Sequence, residues 1–466
     1  MLLAVMVATG LVAIDATALA PAVLSITDDI GGFTSFPWMF SIYLLTSAVT
    51  VPVYSKLADT VGRKPVMLVG ITVFLLGSLL AGLAWSMPAL IVFRAIQGIG
   101  GGAILPISIT IIGDIYSLEE RARVQGYIAG VWAVAAVVGP GLGGVFAQLD
   151  AWRWIFLINI PLALIAGWFV LRRYHEHLER RPQRIDIAGA VLLTAGSTLL
   201  VLGVLEGGQA WAWDSPTSIA VFVAGAAALV GFVLVERRAA DPVLPLPMLR
   251  RPLIAASTIM GLAIGAGLIG LTAFIPTYLE VGAGLSPLVA GLALATFTIG
   301  WPIAATLSGR LYLRFGFRAT AVLGGAIIVV GTVALAALAA APSIWMVALV
   351  CLVVGAGFGF AAVPSLVAAQ SSVPWGERGV VTGAVMFSRS IGQAVGAAVL
   401  GAVANGVIAA RGGDETDPHT IIAASTAVFI GVAIAAVVIL LGALAIPRTH
   451  VVAPEPGAAA DGASAA

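Results

Sequence analysis

Charge is scarce in this sequence: only 10% of its 466 residues are Asp, Glu, Lys or Arg, and 60% are hydrophobic. Cysteine is nearly absent. Cys351 stands alone in an apolar run, which excludes an internal disulfide or a thiolate metal cluster within one chain. Histidine is scarce too. His175, His177, His419 and His450 lie in loops or at the tail, and the spacing of the first two fits no zinc motif. There is no glycine loop ending in Lys-Ser/Thr, so nothing suggests direct use of ATP. No apolar/polar alternation marks lipid-facing strands, which excludes a β-barrel. Enzyme signatures are missing, and nothing points to nucleic acid.

What the chain does have is long apolar runs and a mean hydropathy of +1.09. A hydrocarbon core about 30 Å thick needs about 20 apolar residues per helix. Runs at 2–26, 38–57, 65–86, 88–113, 124–148, 153–171, 187–207, 216–236, 253–279, 287–308, 319–341, 343–370, 380–408 and 420–446 predict fourteen spans. The expected class is therefore an all-α polytopic membrane protein. The first run contains Asp15 and has no clear small-residue cleavage site after it, so it is read as a retained span. No basic residue precedes Leu2, which leaves a start further upstream open.

Charge placement tests the count. With both termini cytoplasmic, nineteen of the 23 Lys and Arg fall in inside segments and only Arg153 and Arg411 in outside ones. A single miscounted span would invert every later loop and destroy that bias. Arg94 and Arg389 fall within spans.

The chain also repeats itself. The turn Ser55-Lys56-Leu57-Ala58-Asp59-Thr60-Val61-Gly62-Arg63-Lys64 returns as Gly309-Arg310-Leu311-Tyr312-Leu313-Arg314-Phe315-Gly316-Phe317-Arg318. Gly98, Gly100, Gly102 and Pro106 of span 4 return as Gly355, Gly357, Gly359 and Pro364 of span 12. Gly130, Gly139 and Gly143 of span 5 return as Gly383, Gly392 and Gly396 of span 13. Two parallel six-span bundles follow, residues 1–171 and 253–449. Residues 172–252 carry linkers and two inserted spans, and 450–466 is an Ala/Gly/Pro-rich tail expected to be disordered. Duplicated bundles around a midplane cavity are a transporter architecture.

Asp15 lies about 13 residues into span 1, roughly 20 Å deep at ~1.5 Å per residue. A charged carboxylate there costs at least about 2.5–3.5 kcal/mol on insertion scales. It is therefore a candidate proton carrier, or an anionic contact for a cationic compound; the alternative is a structural carboxylate bonded to a neighbouring helix. Arg94, about six residues into span 4 at ~1.5 Å per residue, reaches a similar depth. It is placed to pair with Asp15 across the cavity, or else it snorkels outward. Arg389, about ten residues into span 13, is too deep to snorkel easily and would hold an anion, an acid of the other half, carbonyls or water. Trp38, Tyr43, Trp132, Phe297 and Trp301 are candidates to line a substrate cavity by stacking and cation–π contact, with Met386 as an adaptable neighbour. Each has a plainer reading as a lipid-facing or interfacial side chain. Gly139 and its neighbours permit close helix contact, and Pro140 removes one helix hydrogen bond.

These residues resemble the major facilitator superfamily, and within it the fourteen-span drug:proton antiporters. Leu57-Ala58-Asp59 with Gly62-Arg63-Lys64 is similar to its loop motif between spans 2 and 3, with Ser55 in place of the usual Gly. Ile14-Asp15-Ala16-Thr17 with Ala20-Pro21 resembles the first-span motif of that branch. Arg94, Gln97, Gly98 and Gly102 resemble its span-4 motif. Gly130 with Gly139-Pro140-Gly141-Leu142-Gly143-Gly144 resembles its span-5 antiporter motif. Trp152-Arg153-Trp154-Ile155-Phe156 with Asn159 and Pro161 is similar to a further stretch of the same branch.

The resemblance implies the two-bundle fold with two inserted helices and export of lipophilic, often cationic, compounds in exchange for protons. It implies a role in proton coupling for Arg94. Asp59, with Gly62, Arg63, Lys64 and Asp114 beside it, would form a latch that pairs with helix ends in the outward-facing state. The proton would be the coupling ion, with no other cofactor. A monomer in the cell membrane is expected, with lipids and a small-molecule substrate as partners. A dedicated exporter of one metabolite, lipid or antibiotic is the nearer alternative; a non-transporting membrane sensor is the remoter one.

Overall fold

The computed structural model describes residues 1–448 apart from 33–34, 175, 177–185, 208–210, 213, 240, 245, 342 and 413–416. The tail expected to be disordered, and most of the linker around His177, lie outside the described residues. The N-terminal half consists of α1 (Leu2–Ala18), α2 (Val23–Ile30), α3 (Pro37–Val61), α4 (Arg63–Gly82), α5 (Met87–Ile115), α6 (Leu118–Gln148), α7 (Trp154–Leu157) and α8 (Asn159–Arg173). The insert follows as α9 (Ile187–Glu206), α10 (Pro216–Glu236) and the short α11 (Leu246–Leu249). The C-terminal half is α12 (Pro252–Thr277), α13 (Pro287–Phe315), α14 (Phe317–Ala337), α15 (Ile344–Ser371), α16 (Arg378–Ala410) and α17 (Pro418–Ala445).

Among the described residues thirteen helical segments are long and apolar enough to cross a membrane, and α1 is a shorter apolar helix; together they account for the fourteen expected spans. The run expected over 2–26 is not one helix. A 3₁₀ turn at Ala20–Ala22 separates α1 from α2. Pro21 explains the break: it offers no N–H and disfavours helical geometry in the residue before it. Large apolar side chains such as Leu44, Val134, Trp168, Val330 and Leu349 stay exposed on the outer faces of the bundle. In water they would be a liability; in hydrocarbon they are the required surface. The chain is an integral membrane protein.

The sequence repeat is a packing repeat. Gly62 joins α3 to α4 at φ 114°, and Gly316 joins α13 to α14 at φ 87°. Both conformations suit glycine and strain any residue with a Cβ, which accounts for the fixed glycine in both copies of the basic turn. A Cβ on Gly98 or Gly102 would run into α3, and one on Gly100 into α4. A Cβ on Gly355 or Gly359 would run into α13, and one on Gly357 into α14. Each trio seats its helix against two neighbours at backbone distance. Separate apolar cores fill the two halves, one around Leu11, Phe74 and Ile107, the other around Ile264, Phe358 and Phe429.

Helix ends carry their own caps. Ser117 and Glu120 form a reciprocal capping box on α6. Asp186 accepts the Gly189 N–H at 2.8 Å on α9, and Asp417 accepts the Thr420 N–H at 2.8 Å on α17. The insert is not merely a tether. Val201 of α9 is buried with Leu45 and Val49 of α3, and Ile391 and Ala394 of α16 pack on the same cluster. One inserted helix thus lies across the seam between the halves, with α10 against it.

Candidate functional site

Asp15 sits near the end of α1, walled in by the other helices of its own half. Its side chain is fully buried, and so is that of Arg94 on α5. The Arg94 Nη1 donates to Asp15 Oδ2 at 2.6 Å. Gln97, one turn further along α5, donates from Nε2 to Asp15 Oδ1 at 2.7 Å. Asn159, the first residue of α8, donates from Nδ2 to the same oxygen at 2.9 Å. All three partners are donors, the pattern of an ionised acid satisfied in a low dielectric. Arg94 and Gln97 reach the same carboxylate because residues three apart share a helix face.

The cation is held as firmly. Arg94 Nε donates to the Met39 carbonyl at 3.1 Å, and Nη1 also donates to Gln97 Oε1 at 2.5 Å. Its guanidinium lies 4.2 Å over the Tyr43 ring and 5.8 Å over the Phe156 ring. Ser78 of α4 closes the set, its Oγ accepting from Gln97 Nε2 at 2.7 Å. The expected Asp15–Arg94 pair therefore forms, but inside the N-terminal half and not across a central cavity. Tyr43, expected in the substrate cavity, is 4% exposed and serves as the ring beneath Arg94.

A second polar cluster closes the end that carries the basic loops. Asp59, near the end of α3, accepts the Gly379 N–H at 3.0 Å and the Val380 N–H at 2.8 Å. These are orphan donors in the first turn of α16, where the helix dipole favours an anion. Arg63 pairs with Asp59 at 2.8 Å and with Asp114 at 3.0 Å. It also donates to the Trp375 carbonyl at 2.8 Å, its guanidinium 3.5 Å over that ring. Asp114 in turn accepts from Arg378 at 3.2 Å. Arg121 donates to Ser371 Oγ at 3.2 Å, and the Tyr312 hydroxyl donates to the Leu118 carbonyl. Lys64 is peripheral, its Nζ on the Leu171 carbonyl, while Glu176 accepts the backbone N–H of both Arg63 and Lys64. The polar bridges between the halves gather at this end. At the opposite end, Arg153 and the Trp152 indole donate to Asp29 at 2.6 and 3.1 Å within one half, and hold its carboxyl below the usual carboxylate range.

In the C-terminal half, Trp301 of α13 stacks on Phe358 of α15, centroids 5.5 Å apart and planes at 28°. Phe297 meets both rings edge-on and is itself buried. Arg389 of α16 lies 4.9 Å over Trp301. Met386, one turn back on α16, packs on Ile109, Leu366 and Val385, where α5, α15 and α16 meet. Trp301 and Arg389 thus come together, Phe297 is buried behind Trp301 and does not line a cavity, and Met386 sits one turn away in a separate apolar cluster. Trp132 packs partly buried against the N-terminal core. Among the described residues no recorded contact links Trp38 to this group.

The glycines of α6 divide into two sets. A Cβ on Gly139 would collide with Thr17 Oγ1, and one on Gly143 with the Ala18 carbonyl of α1, whereas Gly130 and Gly144 face open space. Gly392 and Gly396 seat α16 on Leu262 and Ala266 of α12 in the same way. Thr17 Oγ1 also donates to the Ala135 carbonyl at 2.9 Å, so α6 is clasped to α1 just beyond Asp15. Gly139→Val is expected to cost about 1–3 kcal/mol through overpacking, and Gly130→Ala close to nothing. Thermal midpoints of the two variants in detergent check this; equal midpoints would remove Gly139 from the clasp.

Comparison with known proteins agrees with this fold. Residues 5–397 match the sequence profile of the Major Facilitator Superfamily. Multidrug transporter protein MdtP of Bacillus subtilis is 32% identical over 393 residues, 84% of this chain and 73% of its own. Multidrug resistance protein 3 of the same organism is 33% identical over 397 residues, 85% of this chain and 77% of its own. Among solved structures, the human organic anion transporter MFSD10 superimposes with a TM-score of 0.66 over 96% of this chain and 98% of its own. Its identity is 18%, a likeness of fold alone.

Proposed function

Because the chain belongs to the major facilitator superfamily, we propose that it is a proton-coupled exporter of lipophilic small molecules, a multidrug efflux antiporter of the cell membrane with both termini inside and working as a monomer. The observation that carries this is the Asp15 carboxylate, buried in the bundle and held by Arg94, Gln97 and Asn159. An acid at that depth is expensive unless charged and paired or neutral. That gives it two discrete states, and a proton selects between them.

The cycle follows from the two polar clusters. With the basic-loop end latched, the site opens to the outside. A proton arriving there neutralises Asp15, and Arg94 loses its counter-charge. The α1–α5 contact loosens, and the α6 clasp carries the change along α1. The halves rock, Asp59 leaves the first turn of α16, and the latched end opens to the cytoplasm. Substrate enters as the proton leaves, and Arg94 reclaims Asp15. The proton is the coupling ion, and no other cofactor is required. A cationic substrate finds no free carboxylate at Asp15 in the latched state, because both oxygens are engaged; a lipophilic body that packs against Trp301 is the common requirement.

The test is efflux of a panel of unrelated lipophilic dyes from cells expressing the chain. Export that a protonophore stops, with ATP levels held constant, supports the reading. Export that persists without a proton gradient, or no export of any dye, counts against it.

A further inference from the structure

Among the described residues, the charged side chains deep in the spans are Asp15, Arg94 and Arg389, and they do not balance. Asp15 and Arg94 satisfy each other at 2.6 Å. Arg389 is left over. Among the described residues no carboxylate lies within 4.0 Å of its guanidinium and no side chain or carbonyl accepts from it; its recorded contact is the Trp301 ring at 4.9 Å. Nor is it sealed away. The residue is half-buried, and none of its nitrogens is among the buried polar atoms that lack a partner. Its donors therefore keep some exposed surface and have no protein acceptor among the described residues.

The surroundings narrow what would meet those donors. Beneath the guanidinium is a pair of stacked rings, Trp301 and Phe358, braced by Phe297. One turn toward the latched end is an apolar patch of Met386, Ile109, Leu366 and Val385. On the far side of α16, the neighbours are Ile391 and Ala394 against α3 and α9, which bring no acid to this level. The acids at the first turn of α16 are committed elsewhere: Asp59 to backbone N–H groups and Arg63, Asp114 to Arg63 and Arg378.

We propose that Arg389 and Trp301 form the seat for an anionic amphiphile, a carboxylate joined to a flat or polycyclic apolar body. The inference rests on the exporter reading and supplies the substrate's charge. The guanidinium fork matches a carboxylate in bidentate geometry. The faces of Trp301 are taken by Phe358 and the guanidinium, so the apolar body meets its partly exposed edge, and the thioether of Met386, one turn along α16, adapts to its shape. With Asp15 ionised the three deep charges sum to one positive charge, which a monoanion neutralises. A consequence follows for energetics. Exchange of one monoanion outward for one proton inward moves two charges in the same electrical direction, so an inside-negative potential drives export directly. Exchange of a monocation for one proton would move none.

The test uses the purified full chain and three pyrene probes of matched length: pyrenebutyrate, pyrenebutanol and a pyrenebutyl-ammonium. Binding is read from energy transfer between tryptophan and pyrene in detergent, which needs neither a gradient nor proton coupling. The wild type is expected to bind the carboxylate about 10- to 100-fold more tightly than the ammonium, as a charge-assisted bond implies. Arg389→Gln should erase that preference, Arg389→Lys should keep part of it, and Trp301→Ala should weaken all three probes alike. A wild type that binds the ammonium as well as or better than the carboxylate overturns the seat, even if Arg389→Gln does not fold. An unchanged preference in a folded Arg389→Gln overturns it too. Neither result touches the exporter reading, which stands on gradient-dependent dye efflux; conversely, loss of that reading leaves the charge preference measurable.

Discussion

Arg94→Ala is expected to lower stability by about 3–5 kcal/mol, because it leaves a buried carboxylate without its cation. The same change removes the donors to Asp15, Gln97 and the Met39 carbonyl and empties the space over Tyr43. The informative comparison is with a double replacement, Asp15→Leu together with Arg94→Met. Removing both charges leaves no orphan charge, only the neutral amides of Gln97 and Asn159 short of an acceptor, and buried ion pairs replaced by apolar side chains are often neutral in stability or better. The double variant should therefore regain most of the lost thermal midpoint while remaining unable to couple transport to protons. Thermal unfolding in detergent, paired with gradient-driven dye efflux, separates the two. If the double variant is as unstable as the single one, the pair is not the dominant contact. If it still couples, Asp15 is not the proton carrier.

The latch yields the second large effect. Asp59→Asn keeps the shape of the side chain but removes its charge, which now faces two backbone N–H groups and Arg63. Hydrogen bonds to a charged group contribute about 1.5–3 kcal/mol. Losing about 1.4 kcal/mol already shifts a two-state population tenfold. The variant is expected to open the basic-loop end far more often. Labelling of a reporter, Thr382→Cys, by a membrane-impermeant maleimide added on that side reads the opening directly. Thr382 is fully buried one turn along α16 from the latch, and the native thiol, Cys351, is buried as well. Labelling should rise about tenfold in Asp59→Asn. An unchanged rate would mean that Arg63, Arg121 and Arg378 close the end without Asp59.

Much of this was legible in the sequence, for identifiable reasons. Span count and duplication were readable because apolar length, basic loops and repeated glycines are local signals, and the glycine trios of α5 and α15 mark close helix contacts repeated in both halves, though Gly130 of α6 meets nothing. Asp15, Arg94 and Arg389 stood out because charge inside a span is costly. Their partners were harder to see. Gln97 and Asn159 stand out only as parts of motifs and Ser78 does not stand out, since neutral polar residues in a helix carry no signal until a carboxylate lies beside them. Phe358 looked like any buried phenylalanine; only the fold places it under Trp301. Tyr43 was misplaced for the same reason, since an aromatic is assigned to a cavity or to a cation by geometry. Trp375 reaches Arg63 across 312 residues of chain and Arg378 reaches Asp114 across 264, distances no spacing argument bridges. The seam position of α9 was equally hidden, because an apolar helix does not name the faces it covers.

The proposed exchange of protons through Asp15 is tested most directly by substrate-induced proton movement in inside-out vesicles carrying the wild type or Asp15→Asn. Addition of a transported lipophilic compound to energised wild-type vesicles is expected to release protons from the lumen, read by a pH-sensitive dye, and Asp15→Asn should abolish the release while still folding and binding substrate. Proton release of undiminished size in Asp15→Asn would contradict the account and leave the Asp15–Arg94 network as a structural pair.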